Sequence, residues 1–184
     1  NMGHQASFQS LHTPRPEKKD PLGEFILKHY GRATNYIGLH FEKYDDFIYQ
    51  PVIKKEVLMA RPQNKGHITV YLSAYNDASV ARVLEKISNT RFEVFSKEVK
   101  SPTTQGPITF VPVSNKAFTT SMINSDGVIT GAGFETPAEA LHLRKKLMVI
   151  PIRGQYEQLC NGAALEGMGV KVLDKLEEGF ESVF

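Results

Sequence analysis

The chain has 184 residues, 41% of them apolar and 23% charged, a globular balance that excludes a disordered polymer. Its 22 basic and 20 acidic residues leave a formal charge of +2, too even for charge alone to imply a nucleic-acid partner. No apolar run is long enough to cross a bilayer, and a single cysteine, Cys160, excludes an internal disulfide framework.

The first ten residues are polar and lack the apolar stretch of a signal peptide, and Met2 is not first, so the expectation is a cytoplasmic protein represented by a truncated chain. Residues 12–21 carry three prolines and five charges and read as an exposed loop. Residues 21–30 form a helix in this reading, with Asp20 as N-cap, Pro21 at the first position and Phe25, Ile26 and Leu27 as its apolar side. A strand over 36–41 and an aromatic, acidic connection over 44–51 follow. The polar stretch 61–66 marks a boundary. Beyond it the pattern becomes regular: strands at 67–72, 91–95, 108–113, 127–130, 147–150 and 170–172, and helices at 77–86, 115–124, 136–145 and 157–168, with a last helix starting at Asp174 and running to Phe184. Asp77 is the expected cap of the first of these helices, whose Val80, Val83, Leu84 and Ile87 share one face.

Strands alternating with helices imply right-handed crossovers and a parallel sheet flanked by helices, a Rossmann-like α/β fold. Strands that are apolar throughout, such as Leu147-Met148-Val149-Ile150, fit a sheet covered on both faces. Ligands of such sheets gather at the carboxyl ends of the strands. That directs attention to the loops 73–76, 112–115, 130–136 and 151–158.

Two of these loops carry chemistry. In Thr130-Gly131-Ala132-Gly133-Phe134-Glu135-Thr136-Pro137-Ala138-Glu139, small residues lead from a strand into a helix, which suits close backbone approach to an anion. An ordinary tight connection is an equal reading. Thr136 and Glu139 also match a capping box with Pro137 at the first helical position, so Glu139 can serve only the backbone N–H of Thr136. In Pro151-Ile152-Arg153-Gly154-Gln155-Tyr156-Glu157-Gln158, amide and carboxylate groups gather at a helix entrance, suited to several hydroxyls or simply to the helix dipole. Cys160, with no histidine in its motif, reads as core rather than nucleophile. The six histidines are scattered, none at metal-ligand spacing, and no metal is expected.

In order along the chain stand Gly131-Ala132-Gly133, Glu139-Ala140-Leu141, Met148-Val149-Ile150-Pro151, Gln158-Leu159-Cys160-Asn161 and Glu166-Gly167-Met168-Gly169-Val170. This series resembles the C-terminal domain of GT-B glycosyltransferases. It is similar above all to the UDP-glycosyltransferases and the bacterial transferase that adds N-acetylglucosamine to the peptidoglycan lipid precursor. The likeness extends more weakly back to His67. It departs from the pattern at Gly131, where many plant members place a phosphate-binding histidine, and at Arg144-Lys145-Lys146, where Gly-Lys-Pro is usual.

The resemblance implies a nucleotide-sugar donor domain over 61–184, and over 1–60 a remnant of the N-terminal acceptor domain with the interdomain link. It implies that Gly131, Ala132, Gly133 and Phe134, with Ser73 and Tyr75 from the loop after the first strand, hold the donor diphosphate. Glu139 would bind the ribose, Val113 and Ser114 the nucleobase, and Glu157 and Gln158 the sugar. His4-Gln5 would lie at the cleft edge or play a structural part. The implied activity is transfer of a hexose-type sugar from a nucleotide diphosphate, UDP first among them, to an acceptor hydroxyl. No cofactor is needed: in this fold helix-dipole and backbone N–H groups stabilise the leaving diphosphate. The catalytic base would lie in the missing N-terminal domain, leaving this fragment inactive alone, and the full-length protein would touch a membrane peripherally. A nucleotide-sugar epimerase of the same architecture, or a non-catalytic module that binds a partner protein, are the alternatives.

Overall fold

The computed structural model describes residues 1–30 and 32–177. Its first part is built on three very short parallel strands: β1 (Met2–Gly3), β2 (Ile37–Leu39) and β3 (Ile48–Tyr49), ordered β1-β2-β3. Between β1 and β2 run a 3-10 turn (His4–Gln9) and helix α1 (Pro21–Tyr30). Asp20 accepts a hydrogen bond from Leu22 N at 3.0 Å, so the expected cap and start of α1 are present. Its buried side differs from the expectation. Gly23 and Leu27 face inward, while Phe25 and Ile26 are more than half or about half exposed, because α1 docks through Gly23 and Leu27, four positions apart on one face, so that only Leu27 of the expected triplet is buried.

A short helix, α2 (Lys55–Leu58), buries Val57 among Met122, Val128, Ala140 and Leu143 and so fastens this part to the second sheet. That sheet comprises β4 (His67–Tyr71), β5 (Arg91–Ser96), β6 (Thr103–Gln105), β7 (Ile108–Pro112), β8 (Gly127–Thr130), β9 (Lys146–Val149) and β10 (Lys171–Val172), in the order β10-β9-β8-β4-β5-β7-β6. All pairings are parallel except the β6–β7 hairpin at one edge. The intervening helices are α3 (Asp77–Leu84), α4 (Asn115–Asn124), α5 (Glu135–His142) and α6 (Tyr156–Gly167). This is the expected α/β fold, a parallel sheet flanked by helices.

Burial explains the strands. Ile68, Val70, Phe92, Val94, Ile108 and Phe110 pack with Val80, Val83 and Leu84 of α3 on one face, and Val128 and Val149 face the helices of the other. Two expected caps are corrected. Asn76, one residue before Asp77, caps α3 by accepting from Ser79 N at 2.8 Å, and the Asp77 carboxylate instead accepts from Ser96 Oγ. The capping box at Thr136 and Glu139 is not formed: α5 begins at Glu135, so Thr136 is already inside the helix and Pro137 is its third residue. The helix expected from Asp174 also fails where it can be seen. Residues 174–177 are not helical, and the remainder lies outside the described residues.

From β4 the chain proceeds outward through β5 to β7, then returns to the other side of β4 to form β8, β9 and β10. The winding direction therefore reverses between β4 and β8, which pair with Tyr71 opposite Thr130. At such a switch point the loops leave in opposite directions and open a crevice at the strand ends. The loop 72–76 and the turn 131–134 flank that crevice.

Candidate functional site

The turn after β8 is shaped by its neighbours. Gly131 faces Gln158, whose Oε1 lies 3.2 Å from where a Cβ would stand, whereas a Cβ on Gly133 would meet nothing within 4 Å. Ala132 is fully buried, and its carbonyl accepts from Asn161 Nδ2 at 3.0 Å. The first N–H groups of α5 have no partner within the helix and carry its positive end. A buried carbonyl side and an open Gly133 side leave a backbone surface on which an oxyanion can rest.

Gly133 opens on a cleft of about 440 Å³, which Glu157, Gln158 and Gln5 also line. Its opposite wall is α1, through Leu22, Ile26 and Tyr30. Gln158 is oriented on both ends: its Oε1 accepts from Ile152 N at 3.1 Å and its Nε2 donates to Gln155 Oε1 at 2.7 Å. Glu157 accepts from Gln5 Nε2 at 3.4 Å. Residues singled out on separate loops, Gly133, Glu157 and Gln158, thus meet in one cleft.

The remaining sequence candidates do not line it. Glu139 is only 3% exposed and pairs with Lys54 Nζ at 3.3 Å. Burial raises its pKa above the ordinary carboxylate value, and Lys54 opposes that rise. Tyr75 packs on the main core, and its hydroxyl accepts from Leu176 N at 3.1 Å; Ser73 beside it is exposed. Ser114 caps α4, accepting from Ala117 N at 3.1 Å. The Val113 N–H is already donated to Ser96 O at 3.0 Å, so a base at this turn would have to be read by other backbone groups.

His4, expected at the cleft edge or in a structural part, stands at the centre of the assembly. The ring of His4 stacks on Phe134, with centroids 4.0 Å apart and planes 8° from parallel. Its Nδ1 lies 3.0 Å from Leu39 O and its Nε2 2.8 Å from Asn161 Oδ1, with Glu157 Oε1 3.7 Å away. Beside it His40 is fully buried, and burial pushes its pKa down to about 3. His40 Nδ1 accepts from Phe41 N at 2.9 Å while Nε2 has no partner. These contacts join residues 35 and 157 positions apart, and no local pattern announces them. Cys160, as expected, is core: burial raises its thiol pKa to about 11. Among the described residues no three His, Cys, Asp or Glu side chains stand together as a cation site, and no helix is long and apolar enough to cross a membrane.

A family model described as glycosyl transferase family 1 matches residues 26–181. No curated protein matches the chain. Among solved structures it is similar to a glycotransferase of kitacinnamycin, with a TM-score of 0.52 and 12% identity over 73% of this chain and 38% of that one. It is also similar to the glycosyltransferase SnogD from Streptomyces nogalater, with a TM-score of 0.48 and 18% identity over 84% of this chain and 42% of that one. The spinosyn forosaminyltransferase SpnP matches with a TM-score of 0.48 and 13% identity over 92% of this chain and 53% of that one. The chain therefore spans about two-fifths to one-half of the solved chains it matches.

Proposed function

Because this chain belongs to glycosyl transferase family 1, we propose that it forms the nucleotide-sugar-binding part of a GT-B glycosyltransferase. Residues 61–184 bind the donor, and residues 1–60 are the tail of an acceptor domain and the link to it. The reaction is transfer of a hexose-type sugar from a nucleotide diphosphate, UDP first among the candidates, to an acceptor hydroxyl. It takes place in the cytoplasm. The observation that carries this reading is the convergence of Gly133, Glu157 and Gln158 on one cleft beside the start of α5. The backbone of Gly131 to Phe134 holds the diphosphate, and the α5 dipole stabilises the charge that develops on the leaving group. Gln158, held at both ends, and Glu157 direct the sugar hydroxyls. Glu139 reaches the ribose once Lys54 yields part of its carboxylate. Lys54 is 37% exposed and has water to retreat into.

Calorimetric titration with UDP, GDP and TDP tests the reading. One nucleotide is expected to bind saturably, and Glu139→Gln to weaken it by about tenfold, roughly 1.4 kcal/mol. Glutamine is the right replacement because its carbonyl can still face Lys54, so the melting temperature should move little. Absence of binding at millimolar nucleotide, or an affinity indifferent to Glu139→Gln, would count against it.

A further inference from the structure

We propose that His4 satisfies its surroundings only when it carries a proton on both ring nitrogens, and that this imidazolium is the positioning residue that latches the phosphate-holding turn to residues 1–60. The second half rests on the donor-site reading above; the first does not.

His4 Nδ1 faces the carbonyl of Leu39 at 3.0 Å, and a carbonyl only accepts. Nε2 faces Asn161 Oδ1 at 2.8 Å, which also only accepts. Turning the Asn161 amide around gives no relief, because its Nδ2 donates to Ala132 O at 3.0 Å and reversal would set two oxygens against each other. A neutral imidazole has one N–H to offer and these surroundings require two. The continuous path Leu39 O, His4, Asn161, Ala132 O is complete only when the ring is charged.

The groups packed around His4 fit a cation. From α6, Glu157 Oε1 stands 3.7 Å from Nε2. From the phosphate-holding turn, Phe134 offers its ring face at 4.0 Å, the geometry of a cation–π contact. From the end of β2, the His40 ring at 4.9 Å stays neutral above about pH 3 and adds no competing charge near neutrality. Phe8, an uncharged ring, closes the other side edge-on at 5.0 Å.

Burial nevertheless pulls the His4 pKa below its ordinary value, against the Leu39 carbonyl, Glu157 and Asn161, which all favour the proton. The sign of the pH dependence follows. The folded chain takes up this proton less readily than the unfolded one, so His4 subtracts global stability as pH falls through the ordinary histidine pKa of about 6.5 and below. Over the same interval the latch itself becomes complete. As pH rises the ring loses one N–H, and either the Nδ1 contact to Leu39 O or the Asn161 link between His4 and Ala132 must break.

Nitrogen-15 NMR of the wild-type chain tests this, with His4 identified by its contact to the Phe134 ring. On going to about pH 5.5, one unit below the ordinary histidine value, the His4 ring nitrogens should begin to shift toward imidazolium and gain the second proton. The change should be completed at lower pH, because burial holds the ring below that value. By about pH 7.5 one proton should be gone, and the Asn161 side-chain amide should exchange at least several times faster. A single protonated nitrogen at every pH, or a His4 titration that moves neither the Asn161 amide nor the Nδ1 contact to Leu39 O, would overturn the latch. The same chain is then titrated with UDP-glucose, GDP-glucose and TDP-glucose, whose diphosphates do not themselves titrate near neutrality. Affinity that falls severalfold between the two pH values in wild type, and not in His4→Gln, supports the role at the turn. An equal pH slope in both overturns that role. No nucleotide binding beside an intact imidazolium signature would defeat the donor-site reading and the role drawn from it, while leaving the proton assignment in place.

Discussion

Gly23→Ala is expected to destabilise the protein by about 2–3 kcal/mol, the upper part of the usual range for overpacking a filled site. An added Cβ would lie 2.4 Å from Tyr156 Cγ, 2.5 Å from Cδ1 and 2.6 Å from Cβ, distances no packed carbon tolerates. Nor can the ring step aside. Tyr156 is 7% exposed, in a cluster with Phe8, Leu27 and Cys160, and its hydroxyl donates to Glu24 Oε1 at 2.6 Å. The same oxygen accepts from Arg15 Nε at 2.7 Å, and Arg15 also lies over the Phe8 ring at 5.0 Å. Burial would raise the Glu24 pKa, but the bonds from Tyr156 and Arg15 outweigh it and hold the carboxylate below its usual range. Moving Tyr156 would disturb this whole group. Equilibrium urea unfolding of Gly23→Ala beside Leu22→Ala makes the test, since Leu22 is 66% exposed and should cost little. Equal midpoints for the two variants would mean that α1 does not dock on α6 through this contact. The outcome bears on function, because α1 forms one wall of the cleft and Tyr156 opens the helix that presents Glu157.

The difference between what could and could not be read from the sequence has a physical pattern. Strands β4, β5, β7, β8 and β9 were legible to within a residue or two, because runs such as Ile68 to Tyr71 and Leu147 to Ile150 are buried on both faces and bounded by turn residues. Helix α4 was legible at both ends, the expected 115–124 matching the observed Asn115–Asn124, although its Ser114 cap was read as a nucleobase contact. By contrast, β1, β3 and β6 contain two or three residues each, too few to express a period, and exist only because a neighbour pairs with them. The error at Thr136 and Glu139 has the same origin. The motif is compatible with a capping box, but Lys54, 85 positions upstream in the chain, approaches in three dimensions and claims the carboxylate. At the site, the glycine turn and Glu157-Gln158 were visible because each stands where a strand hands over to a helix, the turn before α5 and the pair in the first turn of α6. His4 and Asn161 were each singled out, but their partnership was not, since it depends on how one sheet is set against the other.

Gly133→Val should separate binding from folding more cleanly than any other change in the cleft. The backbone at Gly133 is not in the left-handed region, and nothing lies within 4 Å of an added Cβ. The Cβ therefore meets no steric obstacle in the unliganded chain, and the melting temperature should shift by no more than a degree or two. If a diphosphate rests on the backbone between Gly131 and Phe134, however, the two methyl groups stand where its oxygens must approach the first N–H groups of α5. Loss of that contact should weaken the nucleotide by about 100-fold, roughly 2.7 kcal/mol. Gly131→Ala is the weaker experiment, because its methyl would press on Gln158 Oε1 at 3.2 Å and disturb that side chain as well. Calorimetry on folded Gly133→Val with the nucleotide that binds wild type supplies the measurement. An unchanged affinity would move the diphosphate away from this turn. It would leave the open backbone of Gly133 facing Glu157 and Gln158 as part of a sugar subsite rather than a phosphate cradle, because those two side chains share the cleft with it whichever part of the donor enters.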